Sequence, residues 1–233
     1  MTLPIINTPT YELTVPSTKE KITYRPFLVK EEKILLTAME TGGEGDMVLA
    51  LKQIVKNCLE SEINIEKLAT FDLEYIFLNL RSKSVGEVAT VNVTCPDDGE
   101  TQVSVEIPLD EINVTFPEGH ESYISLTDTI GLNMRYPDFT LASVSRESNT
   151  EYLFAMIKGC IEQIVEGETI HERVDFNDKE LDTFLDSLNS KQLEGVQKFF
   201  ETMPKLRHDI TVTNPKTKKK NKVTLEGLDA FFA

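Results

Sequence analysis

Tryptophan is absent, and the 233 residues hold only three histidines and three cysteines. So few thiols exclude a disulfide-stapled scaffold, and Cys58, Cys95 and Cys160 cannot all pair with one another. His120, His171 and His208 are scattered, with no spacing that implies shared ligation of a metal. His171-Glu172 opens like a zinc-protease helix, but Val174 and Asp175 follow Arg173, and the second histidine is missing. Gly42, Gly43 and Gly45 lack the lysine of a phosphate loop, and there is no Gly-x-Ser-x-Gly elbow. Long apolar runs are lacking as well, so nothing reaches the length that spans a bilayer. Met1-Thr2-Leu3-Pro4 has neither the charged start nor the apolar core of a secretory signal, so reduced thiols inside a cell are expected. Carboxylates are too numerous for spacing to single out an acid–base pair. The expectation is a protein that is not an enzyme, with no catalytic, cofactor-binding or metal-binding residues.

What is present is acid. Against 24 basic side chains stand 39 acidic ones, for a net charge of −15. Such a chain repels a phosphate backbone and an anionic membrane surface, so neither nucleic acid nor membrane is an expected partner. The charge is uneven. From Ser84 to Met134 there are ten acids and no lysine or arginine, whereas Lys216, Lys218, Lys219, Lys220 and Lys222 cluster near the end. Solvated loops and strand faces account for both; complementarity between copies, or with a partner, is the sharper alternative. Oligomeric state stays open at this level.

The hydrophobic fraction of 40% and the length suffice for a real core. Tyr11 to Val15 and Lys21 to Tyr24 form a hairpin around Pro16-Ser17-Thr18. Helical spacing follows in Ile34, Leu35 and Ala38, with Gly42-Gly43 as a stop. Val48, Leu51, Ile54, Val55 and Cys58 make one stripe of a second helix capped by Asp46. A third, unusually apolar and hence central helix covers Phe71 to Arg81. Strands alternate at Val91 and Val93, and at Val103, Val105 and Ile107. Further extended pieces are expected at Asn113–Phe116, Tyr123–Leu126 and Leu132–Arg135. Helices then return at Phe139–Arg146, Glu151–Ile164, Lys179–Leu188 and Lys191–Met203, started by Asn177-Asp178 and Ser190 and stopped by Pro204. Strands at His208–Thr213 and Lys222–Leu225 and a short helix at the end close the chain. Segregated runs of this kind predict an α+β fold, with helical N-terminal and C-terminal segments around β-hairpins. We expect a single unit over residues 1–233, with subregions 1–83, 84–137, 138–206 and 207–233.

Two of the hairpins echo each other. Val93-Thr94-Cys95-Pro96 is matched by Val212-Thr213-Asn214-Pro215, and Val103-Ser104-Val105-Glu106 by Val223-Thr224-Leu225-Glu226. That alignment makes the second loop one residue longer and equates Cys95 with Asn214 and Asp98 with Thr217. It also allows the two hairpins to share one sheet. A zinc ribbon uses two such tips, each giving two ligands at Cys-x-x-Cys spacing. Here the four positions hold Cys95, Asp98, Asn214 and Thr217, and amide and hydroxyl side chains are poor zinc ligands. A metal-stabilised, zinc-ribbon-like binding module with a degenerate site is the alternative to a metal-free hairpin pair. Cys58 and Cys160 lie on apolar helical stripes and read as buried structural thiols. Phe199-Phe200 and Phe231-Phe232 read as core or interface.

Several runs resemble one family. The most specific are Tyr24-Arg25-Pro26-Phe27-Leu28-Val29-Lys30-Glu31-Glu32-Lys33 and Leu80-Arg81-Ser82-Lys83-Ser84-Val85-Gly86-Glu87. Together with the residues around Ile130-Gly131-Leu132-Asn133-Met134 and the end of the chain, they are similar to the baseplate hub proteins of T-even-type contractile-tailed bacteriophages. The resemblance runs from about Leu3 to Phe232. It implies a non-enzymatic role in building the central baseplate hub, as hub subunit or as assembly chaperone. It implies other hub or tape-measure proteins as partners, and a place in the host cytoplasm during assembly or in the virion tail. Similar proteins carry Cys-x-x-Cys knuckles near the two hairpins; this chain keeps only Cys95. On this reading Phe231 and Phe232 are candidate contacts, unless they seal the protein's own core.

Overall fold

The computed structural model describes residues 6–41, 44–142 and 149–231. It is α+β, with its strands in small separate sheets. Two compact units divide the chain: Met1–Thr115 with Lys205–Ala233, and Phe116–Pro204.

The first unit begins with an antiparallel hairpin, β1 (Tyr11–Thr14) and β2 (Lys21–Tyr24), where the sequence places it. Helices α1 (Val29–Thr41) and α2 (Glu44–Cys58) lie side by side. Asp46 sits inside the first turn of α2 rather than capping it, because the helix already starts at Glu44. The expected stop at Gly42-Gly43 lies outside the described residues. Helix α3 (Thr70–Val85) packs on α2 and buries Phe71, Leu73, Ile76, Phe77, Leu78 and Leu80. Its apolar residues occupy more than one face, which is why it sits centrally. Gly86 ends it at φ +149°, a backbone state that disfavours side chains. Strands β3 (Val88–Thr94) and β4 (Gln102–Pro108) then form a two-stranded sheet with Val93 opposite Val103, and β5 (Asn113–Thr115) follows.

The second unit is a four-stranded antiparallel sheet, covered by helices, in the order β6 (Tyr123–Ser125), β7 (Ile130–Met134), β8 (Ile161–Glu166), β9 (Thr169–Glu172). Helix α4 (Phe139–Ala142) is short; the rest of the expected Phe139–Arg146 helix falls outside the described residues. Helix α5 (Asn149–Cys160) ends four residues before the expected Ile164, and the chain enters β8 with no intervening loop. Helix α6 (Asp178–Asp186) starts at an Asn177 cap, and α7 (Ser190–Thr202) at Asn189 rather than at Ser190. In each case the asparagine side chain accepts from the N3 backbone while the N3 side chain accepts from the cap. Leu132, Ile157, Cys160, Ile161, Leu181, Val196 and Phe199 form the core of this unit.

The chain then returns to the first unit. Strand β10 (Lys205–Thr213) pairs with β5 on one side and β11 (Lys220–Glu226) on the other. The two echoing hairpins therefore do not share a sheet: β3–β4 stands alone, because β5 occupies the free side of β10. The register also corrects the alignment of the echo. Val212 lies opposite Asn221, so Asn221 is the counterpart of Val103, and the second loop is one residue shorter, not longer. The expected terminal helix is a 3-10 turn, Leu228–Phe231. Phe231 is 1% exposed and belongs to the interior, which removes it as a surface contact; Phe232 lies outside the described residues. Among the described residues no helix is long and apolar enough to cross a membrane.

Candidate functional site

The tips of the two echoing hairpins share one five-residue turn, which the first closes one residue later than the second. The Cys95 N–H donates to Thr101 O at 2.7 Å, and Gly99 N–H returns to Cys95 O at 2.9 Å. In the second tip, Asn214 N–H donates to Lys219 O and Lys218 N–H returns to Asn214 O, both at 2.9 Å. This equates Cys95 with Asn214 and Asp98 with Thr217, as the sequence echo implies. A third copy was not visible in that echo. In the β1–β2 turn, Val15 N–H donates to Glu20 O and Lys19 N–H returns to Val15 O, again at 2.9 Å. All three turns have proline second. In each, the fourth side chain (Thr18, Asp98 or Thr217) accepts the backbone N–H two residues on, at 3.1 to 3.3 Å. All three bury their first residue completely: Val15, Cys95 and Asn214 are 0% exposed. The fifth residue is left-handed in each, Lys19 at φ +60°, Gly99 at +69° and Lys218 at +61°. The sequence signal for the third copy was Val15-Pro16-Ser17-Thr18-Lys19-Glu20, which contains no cysteine to draw notice.

Polar side chains join two of these tips. The Asp97 carboxylate accepts from Asn214 Nδ2 and Asn221 Nδ2, each at 2.9 Å, and from the Thr217 hydroxyl. Asp97 N–H donates back to Asn221 Oδ1 at 3.1 Å. Asn214 also serves its own turn, where its Oδ1 accepts from Lys216 and Thr217 N–H. Asp98 accepts from the Thr101 hydroxyl and from the Thr101 and Glu100 N–H groups. A Lys216–Glu100 ion pair of 3.6 Å crosses the rim. Besides the backbone pairing within each hairpin, a side-chain hydrogen-bond network centred on Asp97 holds the two tips to each other.

This arrangement does not fit a metal. One thiol is present, and burial, with Asp97 and Asp98 nearby, pushes the Cys95 thiol up and away from the thiolate that zinc requires. Asn214 and Thr217 turn N–H and O–H donors, not lone pairs, toward Asp97. Among the described residues no three histidine, cysteine or acidic side chains gather as a metal would need. Cys58 and Cys160 are buried where their stripes predict. Burial raises their thiols to about 11 and about 12, which keeps them in the neutral form at pH 7.

The network has a pH signature. Hydrogen bonds from Thr217 and Asn214 hold the Asp97 carboxyl below its ordinary range, and those from Thr101 do the same for Asp98. A carboxylate with a lowered folded-state pKa contributes stability that is complete above its unfolded value, about 3.9 for Asp. That contribution is lost as pH falls through the folded value. Acidification below about pH 4 is therefore expected to lower the melting temperature. Asp97→Asn should flatten that slope while lowering the melting temperature at pH 7, as read by scanning calorimetry.

The two most specific runs of the sequence meet in the same unit. Arg25 Nη2 pairs with Glu31 Oε1 at 3.0 Å, and Glu31 is fully buried. Burial alone would raise the Glu31 pKa, but Arg25 and the Leu28 N–H outweigh it and hold it below the ordinary value. Arg25 also donates to Pro26 O and Asn57 O, both at 2.9 Å. From the other run, the Ser84 hydroxyl accepts from Phe27 N–H at 2.8 Å, and Lys83 lies over the Tyr11 ring. The Phe27 and Phe77 rings stack at 6.4 Å. What looked like a motif is a structural joint: one run clasps the start of α1 and the other holds it against the end of α3.

No curated protein and no solved structure matches this chain. A family model described as T4 bacteriophage base plate protein does match it, over residues 8–233. With the match spanning both units and both locked runs, the chain belongs to the T4 bacteriophage base plate protein family.

Proposed function

We propose that this protein works without catalysis in building the central hub of a contractile-tail base plate, through contacts with other base-plate proteins. The family match over residues 8–233 carries this reading. The family-specific runs support it, because they are spent on holding α1, α2 and α3 together and not on a catalytic cleft. The buried thiols and the self-satisfied Asp97 network are consistent with a protein that acts by its surface. Its partners are other hub or tape-measure proteins, met in the host cytoplasm during assembly. It stays in the tail as a hub subunit or leaves as an assembly chaperone.

Co-expression with candidate hub and tape-measure proteins, followed by size exclusion, is expected to yield a stable complex. Free elution of the chain beside every candidate would refute the reading. Mass spectrometry of mature tails then decides between the two roles. Stoichiometric presence marks a hub subunit, and absence marks a chaperone.

A further inference from the structure

We infer that the β9 edge of the second unit is a docking strand for an extended protein segment that carries a lysine or arginine between apolar neighbours. Strand β9 ends its sheet, pairing with β8 on one side alone, so its outer edge offers backbone groups to another strand. The edge is short, and its Glu172 N–H is already taken by Asp175, but β9, Thr-Ile-His-Glu, carries neither proline nor lysine. Two apolar side chains are exposed on or beside it. Ile170 is 53% exposed and Val174, just past the strand, 91%.

The two faces of β9 ask for different chemistry. His171 faces a cavity of about 250 Å³ between the sheet and α6, whose floor includes Ile164, Phe176 and Phe184. Its rim carries the carboxylates of Glu166, Asp175 and Glu180, with no lysine or arginine in the lining. Each carboxylate already accepts one bond, from His171, from Glu172 N–H and from Asn177 N–H respectively, which fixes it in place and leaves further lone pairs. Arg173 does not neutralise this rim, since it is paired with Asp178 at 2.6 Å. A long cationic side chain fits such a site, with its stem on the apolar floor and its head at the carboxylates. Ile170 faces the other way, because side chains alternate along a strand. A strand added beside β9 would thus place a cation toward the cavity and apolar residues over Ile170. This inference is independent of the hub assignment, since any base-plate or other protein with that pattern qualifies.

The probe is a nine-residue peptide alternating threonine and valine, with a central lysine, titrated into the ¹⁵N-labelled full chain. Amide shifts are expected at Thr169–Glu172 and along α6. A peptide with glutamate at the centre should bind at least tenfold more weakly. Ile170→Lys places a charge on an exposed edge position and should abolish binding with the melting temperature kept. The double variant Glu166→Gln, Glu180→Gln keeps acceptors for the local hydrogen bonds and should erase the preference for lysine. Equal binding of the two peptides, shifts at another sheet edge, or no shifts at millimolar peptide would each overturn the proposal.

Discussion

Arg25→Met is expected to cost about 3 kcal/mol of unfolding free energy, measured by urea denaturation at pH 7. Methionine replaces the stem of the side chain, yet it strands the Glu31 carboxylate in a site with no exposure. Removing one partner of a buried pair costs more than the pair itself contributes, because the remaining charge is left desolvated. The Pro26 and Asn57 carbonyls lose a donor as well. Lys30, 3.5 Å from Glu31, softens the loss and keeps the estimate at the lower end of the usual range. The variant should also invert a pH dependence. Without Arg25, burial dominates and the Glu31 pKa rises, so stability is lost as pH rises through the new value and regained below it. The deficit is therefore expected to shrink as pH falls from 7 toward 4. Adding Glu31→Gln should restore part of the loss at pH 7, since the amide oxygen can still accept the Leu28 N–H. A double variant no more stable than Arg25→Met alone would show that the stranded charge is not the cause.

Asn214→Ala is the second large loss, about 2 kcal/mol. The substitution removes the acceptor for two turn N–H groups and one donor to Asp97, at a position with no solvent to replace them. Asn214→Asp separates these roles. The carboxylate keeps the turn acceptor but faces Asp97 across the distance where an N–H stood, so both tips carry like charges at neutral pH. Asn214→Asp is expected to be at least as unstable as Asn214→Ala at pH 7 and to gain on it as pH falls below 5. Parallel pH profiles for the two variants would mean that Asp97 does not sense residue 214.

Much of the fold was legible from periodicity. The stripe from Val48 to Cys58 and the Asn177 start were readable because capping and amphipathic spacing are local, whereas the start of α7 was read one residue late, at Ser190 instead of the Asn189 cap. Strand β8 was not. Ile157, Cys160, Ile161 and Ile164 have helical spacing, and only pairing with β7 and β9, thirty residues upstream and a few downstream, turns the last two into a strand. Tertiary pairing overrode the local pattern there. The register of β10–β11 failed for a related reason. Matching Val223 to Val103 satisfied composition, whereas the hydrogen-bond ladder pairs Val212 with Asn221. At the hairpin tips, the sequence pointed to the right four positions because a knuckle spacing is short and rigid. It did not point to Asp97, the residue that holds the tips together, since no ligand rule marks the position between two ligands.

The loopless passage from α5 into β8 has a geometric consequence. Cys160 ends the helix, Ile161 begins the strand, and both are fully buried. With no linker residue to absorb a change of register, the last turn of α5 fixes which side chains of β8 face inward, and β8 is an inner strand held on both sides. The phase of the helix thus sets the phase of the strand, and a single residue inserted between Cys160 and Ile161 would exchange the inward and outward faces of the strand.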